Sequence, residues 1–252
     1  MKLIIRADDL GFTEGVNYGI SKAVHDGLVT SVGIMMNMPS AKHGYDLIKD
    51  RDIALGVHTN ICVGKPLVAP EKIPSLVQPN GQLCSSKEIR SRTVDTVVFE
   101  EAYLEVEAQL KAFIDMVGRK PDYLEAHAVT SKNLYKALKA VARDYDVFYE
   151  NVIMDPEWEK ENNLYGWPLP VPGKDNTYDV KEHLDKAYEM FKDHERCVVV
   201  FHPGYVDQDI IDLSSFNLIR PCETKALCSD WMKQWLEKRH IERIDFRDIK
   251  TA

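Results

Sequence analysis

Of the 252 residues, 44% are hydrophobic and 29% charged, the balance of an ordinary soluble globular chain. The net charge of −8 argues against nucleic acid or an anionic membrane surface as the main partner. This length can bury a large apolar core and suits one barrel-type domain, with 1–252 read as a single unit because no composition shift marks a boundary.

The chain opens on a short apolar run that ends in Asp8 and Asp9, so it reads as neither a signal peptide nor a membrane span. The five cysteines (Cys62, Cys84, Cys197, Cys222 and Cys228) are odd in number and lack CxxC spacing. A reduced, cytoplasmic setting is the expectation.

Leu3–Ala7 reads as a first strand, and Glu14–Gly27 as an amphipathic helix with Val16, Ile20, Ala23 and Val24 on one face. Val29–Met36 is a second strand, Ala41–Lys49 a helix and Ile53–Val57 a third strand. A long loop with four prolines and two glycines runs from Thr59 to about Ser85. The apolar spacing then predicts a helix over Ser86–Val117, in one piece or two.

Asp122–Ala126 is a fourth strand, Leu134–Ala142 a helix and Val147–Tyr149 a short fifth strand. Asp155–Val180, rich in Pro, Gly, Trp and Tyr, reads as an excursion. Helix Lys181–Lys192, strand Cys197–Phe201, helix Thr224–Lys238 and strand Ile241–Phe246 complete the series. About seven β/α alternations favour a TIM-like (β/α) barrel, seven-stranded and somewhat irregular, over an open doubly wound sheet.

In such barrels the active site lies at the C-terminal strand ends. The first strand ends in Asp8-Asp9, the third in His58, the fourth in His127 and the sixth in His202. Singly, each has a bland structural role, as a turn residue or a hydrogen-bonded histidine. Together they would crowd two carboxylates and three imidazoles at one mouth, which is costly without a cation or a proton relay.

One carboxylate and two imidazoles make a three-ligand set that leaves a position open for water. A further carboxylate and a further imidazole could then serve as base and acid. Two nitrogens and one oxygen favour zinc, while magnesium prefers an oxygen-rich shell. Arg6, two before Asp8 on the same strand face, is a candidate to orient it, or else an interior ion pair. Glu125, two before His127, is a comparable supporting residue.

The elements Ala7-Asp8-Asp9-Leu10-Gly11, Gly56-Val57-His58, Glu125-Ala126-His127 and Phe201-His202-Pro203-Gly204-Tyr205 occur in this order along the chain. In this the sequence resembles the YdjC-like carbohydrate deacetylases, whose members act on chito-oligosaccharides. The resemblance implies a divalent metal, zinc or magnesium, held by Asp9, His58 and His127, with Asp8 as general base and His202 as general acid. It also implies a homodimer and an acetylated oligosaccharide substrate, with or without a phosphate.

Where the family often continues Asp-Ser-His-x-His-x-His, this chain has Val129 and Ser131 in place of the two later histidines, which bears on substrate choice. Trp158, Tyr165, Trp167 and Tyr178 are candidates to stack on sugar faces, or else pack the loop down or line a dimer contact. Tyr205 is a further substrate-binding candidate, and backbone N–H groups near Gly64 or Gly204 are candidate oxyanion donors. Another metal-dependent hydrolase, an amidase or phosphoesterase, and a non-catalytic sugar-binding regulator stay open as alternatives.

Overall fold

The structure, a computed structural model, describes residues 1–249. Seven parallel strands form one curved sheet: β1 (Lys2–Leu10), β2 (Ser31–Ile34), β3 (Ala54–Thr59), β4 (Tyr123–Ala126), β5 (Tyr165–Gly166), β6 (Arg196–Phe201) and β7 (Glu242–Ile244). Their order is β4-β3-β2-β1-β6-β5, and β7 pairs with the first residues of β1. Parallel neighbours need long crossovers. These are supplied by ten helices among the described residues, from α1 (Glu14–His25) and α2 (Ala41–Ile48) onward.

The barrel is incompletely closed. Beyond β4, Leu124 exchanges backbone hydrogen bonds with Phe148 and Glu150, so the expected strand at Val147–Tyr149 contributes only an isolated bridge. No backbone ladder among the described residues joins that bridge to β5. The gap is instead spanned by Glu159 on α6 (Pro156–Asn162), whose Oε1 accepts the N–H groups of Ile153 and Gly166, both at 2.8 Å.

Other expectations change in detail. Of the two alternatives for the stretch after Ser86, the two-piece one holds, as α3 (Ser86–Ser91) and α4 (Phe99–Val117). The segment Asp155–Val180 contains α6 and β5, a strand of two residues cut short by Pro168, which cannot donate to a ladder. α5 (Lys132–Tyr145) and α7 (Val180–Phe191) fall near their expected places, and α8 (Gln208–Leu213) was not anticipated. The expected helix Thr224–Lys238 is α9 (Ile219–Leu227) and α10 (Asp230–Lys238). The break falls at Ser229, which caps α10 through Met232 N–H.

The pleat sorts side chains into two cores. Leu3, Ile5, Ala7, Val57, Leu124, Val199 and Phe201 face the helices. Ile4, Ala54, Tyr123, Val198, Ile244 and Phe246 fill the lower barrel interior. A Cβ at Gly56 would stand 2.4 Å from the Tyr123 ring, so glycine is what lets that ring cross the interior. This apolar plug fills one end of the barrel, and the cavity opens at the strand C-termini.

Candidate metal centre at the barrel mouth

Adjacent residues on a strand normally face opposite sides of a sheet, yet Asp8 and Asp9 both reach the mouth. The register between β1 and β2 shifts between Ala7 and Leu10, and Asp9 adopts a left-handed φ of 76°. Aspartate tolerates that conformation better than most side chains. The bulge re-aims the second carboxylate.

Asp9 Oδ1 lies 3.1 Å from His58 Nε2 and 3.0 Å from His127 Nδ1, and the two ring nitrogens are 2.9 Å apart. The three residues form a triangle of donors able to hold one metal ion. All three are buried. Burial pulls the His58 pKa down, but Glu125 and Asp8 more than reverse this and raise it well above the ordinary value. His127 is likewise opposed by burial and pushed up to about 9 by Asp9. The cluster thus stabilises positive charge at the ring nitrogens, where a divalent cation would displace protons. Two nitrogens and one carboxylate oxygen fit zinc.

The supporting contacts run outward in order. His58 turns its Nδ1 to Glu125 Oε1, the arrangement that sets a ligand ring's orientation. Arg6 Nη2 donates to Asp8 Oδ2 at 2.8 Å, and its Nε lies 2.8 Å from Oδ1 as an ion-pair contact not aligned for a hydrogen bond. Its Nη1 reaches Glu150 Oε2 at 2.5 Å, and Glu125 Oε2 lies 3.7 Å from Nη2. Burial raises the Glu150 carboxyl to about 7 against the pull of Arg6. A Cβ at Gly33, opposite on β2, would crowd Asp8, His58 and Glu125 at 3.1–3.3 Å.

His202 ends β6 on the far side. Its backbone N–H is held by the Glu223 carboxylate, and its Nδ1 is buried without a partner among the described residues. Burial lowers its pKa to about 4, against the pull of Asp9 and Asp8, so the ring is neutral at pH 7. Arg220, also from α9, pairs with Asp9 Oδ2 at 2.7 Å.

These groups floor a cavity of about 660 Å³, within the range of small-molecule sites. Lys87 and Arg90 line it, as do the apolar side chains of Met154, Leu169, Leu213 and Phe216.

Seven residues singled out from the sequence meet here: Arg6, Asp8, Asp9, His58, Glu125, His127 and His202. None of the five aromatic candidates lines the cavity, and Tyr178 donates its hydroxyl to Glu223 at 2.8 Å. Trp158 packs beside Phe148 in the lower core. Trp167 is fully buried against Trp235, and Tyr165 stacks on His194 at 3.8 Å. Tyr165 and Trp167 flank Gly166 on β5 and so share the helix-facing side. Tyr205 is exposed, with its N–H bonded to Gly15 O.

The oxyanion expectation also changes. The Gly204 N–H is taken by Thr224 Oγ1 at 2.9 Å, and Gly64 lies off the cavity wall. Val129 lines the cavity, whereas Ser131 caps α5 and donates to Asp95.

Glu150, Arg220 and Glu223 were missed. Glu150 directly follows the expected strand Val147–Tyr149, so the strand-end rule that found the histidines would have found it too. Arg220 and Glu223 sit inside a helix with no motif around them, and only the packing of α9 brings them to the site.

Fold and site define a class: a parallel α/β half-barrel with an Asp-His-His cluster at its strand ends. The chain matches the YdjC-like protein family over residues 2–238 and belongs to it. It is 33% identical over 266 aligned positions to carbohydrate deacetylase 2 of Listeria innocua serovar 6a, with 99% of each chain covered. It is 30% identical over 221 positions to a carbohydrate deacetylase of Halalkalibacterium halodurans, covering 86% of this chain and 90% of that one. Among solved structures, an Enterococcus faecalis protein described as a cellobiose-phosphate cleavage protein superposes with a TM-score of 0.85 at 26% identity, with 99% of each chain covered.

Proposed function

We propose that this protein is a metal-dependent hydrolase that removes N-acetyl groups from a carbohydrate. The observation that carries the proposal is the Asp9, His58 and His127 donor triangle, with Asp8 and His202 beside it on the cavity floor. The relatives named as carbohydrate deacetylases support the sugar and the acyl group.

Asp9, His58 and His127 would hold the ion, with zinc favoured over magnesium by the donor set. When bound, it supplies Lewis-acid polarisation of a carbonyl and a lower pKa for coordinated water. Asp8, held by Arg6, accepts a proton from the attacking water at a carboxylate oxygen. His202, neutral when the site is free, takes up a proton during the reaction and delivers it to the leaving nitrogen. The balance is amide plus water giving amine plus acetate, so the proton lost near Asp8 is matched by the one gained by the amine.

The cavity accepts a disaccharide-sized ligand, with its apolar lining against sugar faces and Lys87 and Arg90 near an anionic substituent. The description of the Enterococcus neighbour supports including a phosphorylated disaccharide among the substrates tried. A cytoplasmic homodimer completes the proposal, checked by light scattering and cell fractionation. No helix among the described residues is long and apolar enough to cross a membrane.

The test is acetate release from diacetylchitobiose and its 6-phosphate by metal-stripped protein, with and without added zinc or magnesium. Metal-dependent release is expected. Protein that binds one zinc yet releases no acetate from either sugar would sink the chitobiose-like substrate.

A further inference from the structure

Helix α9 carries three adjacent buried polar side chains, and all three serve the mouth. Thr224 Oγ1 accepts the Gly204 N–H, and Glu223 accepts from the His202 N–H and, at 2.8 Å, from the Tyr178 hydroxyl. Arg220 Nη2 donates to Asp9 Oδ2 at 2.7 Å.

We propose that Arg220 is a positioning residue for the metal. By occupying Oδ2 it leaves Asp9 a single oxygen, Oδ1, to offer to the ion shared with His58 and His127. The inference rests on the reading of those three residues as metal ligands.

The geometry supports a fixed arm. Arg220 Nε donates to Phe216 O at 2.8 Å, and the guanidinium carbon lies 5.6 Å from the Phe12 ring centre and 5.9 Å from that of Phe216. Asp9 Oδ1 makes no hydrogen bond among the described residues and lies 3.1 and 3.0 Å from the two ring nitrogens. With Oδ2 released, Asp9 could rotate or present both oxygens, and the three-donor triangle would lose its shape.

A mere link between α9 and β1 does not account for the residue. Arg220 is 1% exposed, and its Nη1 has no partner among the described residues. An apolar side chain of similar volume would join the two elements at lower desolvation cost. The guanidinium does repel a nearby cation. Three carboxylates (Asp8, Asp9 and Glu125) stand against two arginines, Arg6 and Arg220, so the site keeps an excess of negative charge that offsets that repulsion.

The experiment measures zinc affinity of metal-stripped wild type, Arg220→Met and Arg220→Lys by competition with a chromogenic chelator, with near-UV circular dichroism as the check on folding. Removing a group that orients a metal ligand typically costs roughly 10–100-fold in affinity, and a loss of that size is expected for Arg220→Met. Arg220→Lys keeps the charge but cannot bond Phe216 O and Asp9 Oδ2 together, so it recovers only part of the loss. Should Arg220→Met not fold, the lysine variant decides the matter alone. Wild-type affinity in a folded variant would overturn the positioning role. Absence of zinc binding by the wild type would overturn the metal reading beneath it.

Discussion

The two ends of the barrel interior are built from the same strands and opposite chemistry. Stepping inward-facing position by position, β1 runs Ile4, Arg6, Asp8, and β3 runs Ala54, Gly56, His58. β4 runs Tyr123, Glu125 and on to His127, and β6 runs Val198, Val200 and on to His202. Two pleat steps, roughly 13 Å of strand, separate a dry plug from a cluster of buried charges. The plug is held by apolar burial. The mouth is held by ion pairs among buried charged groups, so stability and the proposed chemistry are divided along one axis.

The comparison breaks if mouth substitutions act mainly on folding or plug substitutions mainly on chemistry. The largest effect is expected at the mouth: Asp8→Asn should lower kcat by about 10²–10⁴-fold, the usual range for a lost general base. Its melting temperature should stay close to wild type, because Arg6 keeps Glu150 as an ionic partner. Steady-state acetate release and a thermal melt on the same sample check both halves.

Next comes the plug. Phe246, buried against Tyr123 at 4.1 Å between ring centres, should cost about 3–5 kcal/mol when changed to alanine. The kcat per folded molecule should be unaltered. A kcat that falls with stability would mean the plug sets the mouth geometry and the two ends are not separable.

Glu150 sharpens the boundary. Its carboxyl lies at about 7 in the folded protein, raised by burial, against 4.5 ordinarily. A raised acid takes up a proton on folding, so its stability cost is absent below about pH 4.5 and grows as the pH rises to about 7. The cost is on the order of 3–4 kcal/mol, given about 1.4 kcal/mol per pKa unit. Glu150→Gln removes this slope, so metal-free variant and wild type should diverge in melting temperature between pH 5 and 7.5. A difference that does not change with pH would mean that Arg6 keeps Glu150 ionised throughout.

The smallest effects separate Val129 from Ser131. Ser131→Ala loses a helix cap and should cost about 0.5–2 kcal/mol with kcat and KM unchanged. Val129→Ser, on the cavity wall but buried in the core, should shift KM by a few-fold and also cost about 1–3 kcal/mol. Equilibrium unfolding and substrate saturation curves distinguish the two.

The alternation of apolar runs and amphipathic stretches made the β/α order legible, and the strand-end rule located Asp8, His58, His127 and His202 before any contact was known. It failed where strands are too short to show a pattern. β5 is two residues long, and the bridge at Tyr149 hid Glu150. Aromatic content misled at Trp158 and Trp167, because a large ring in a proline-rich segment packs as readily inward as toward a ligand. Helix breaks at Arg92–Val98 and Ser229 were blurred because apolar spacing continues across them.

By itself, the sequence determined the parallel architecture and which residue types end each strand, since both follow from local periodicity. The tertiary structure alone decided that Asp8 and Asp9 face the same way, through the bulge and the left-handed turn at Asp9. It also decided that Arg220, 211 positions along the chain, completes the Asp9 carboxylate. Such pairings depend on how a distant helix packs across the barrel mouth, and no local pattern encodes that distance.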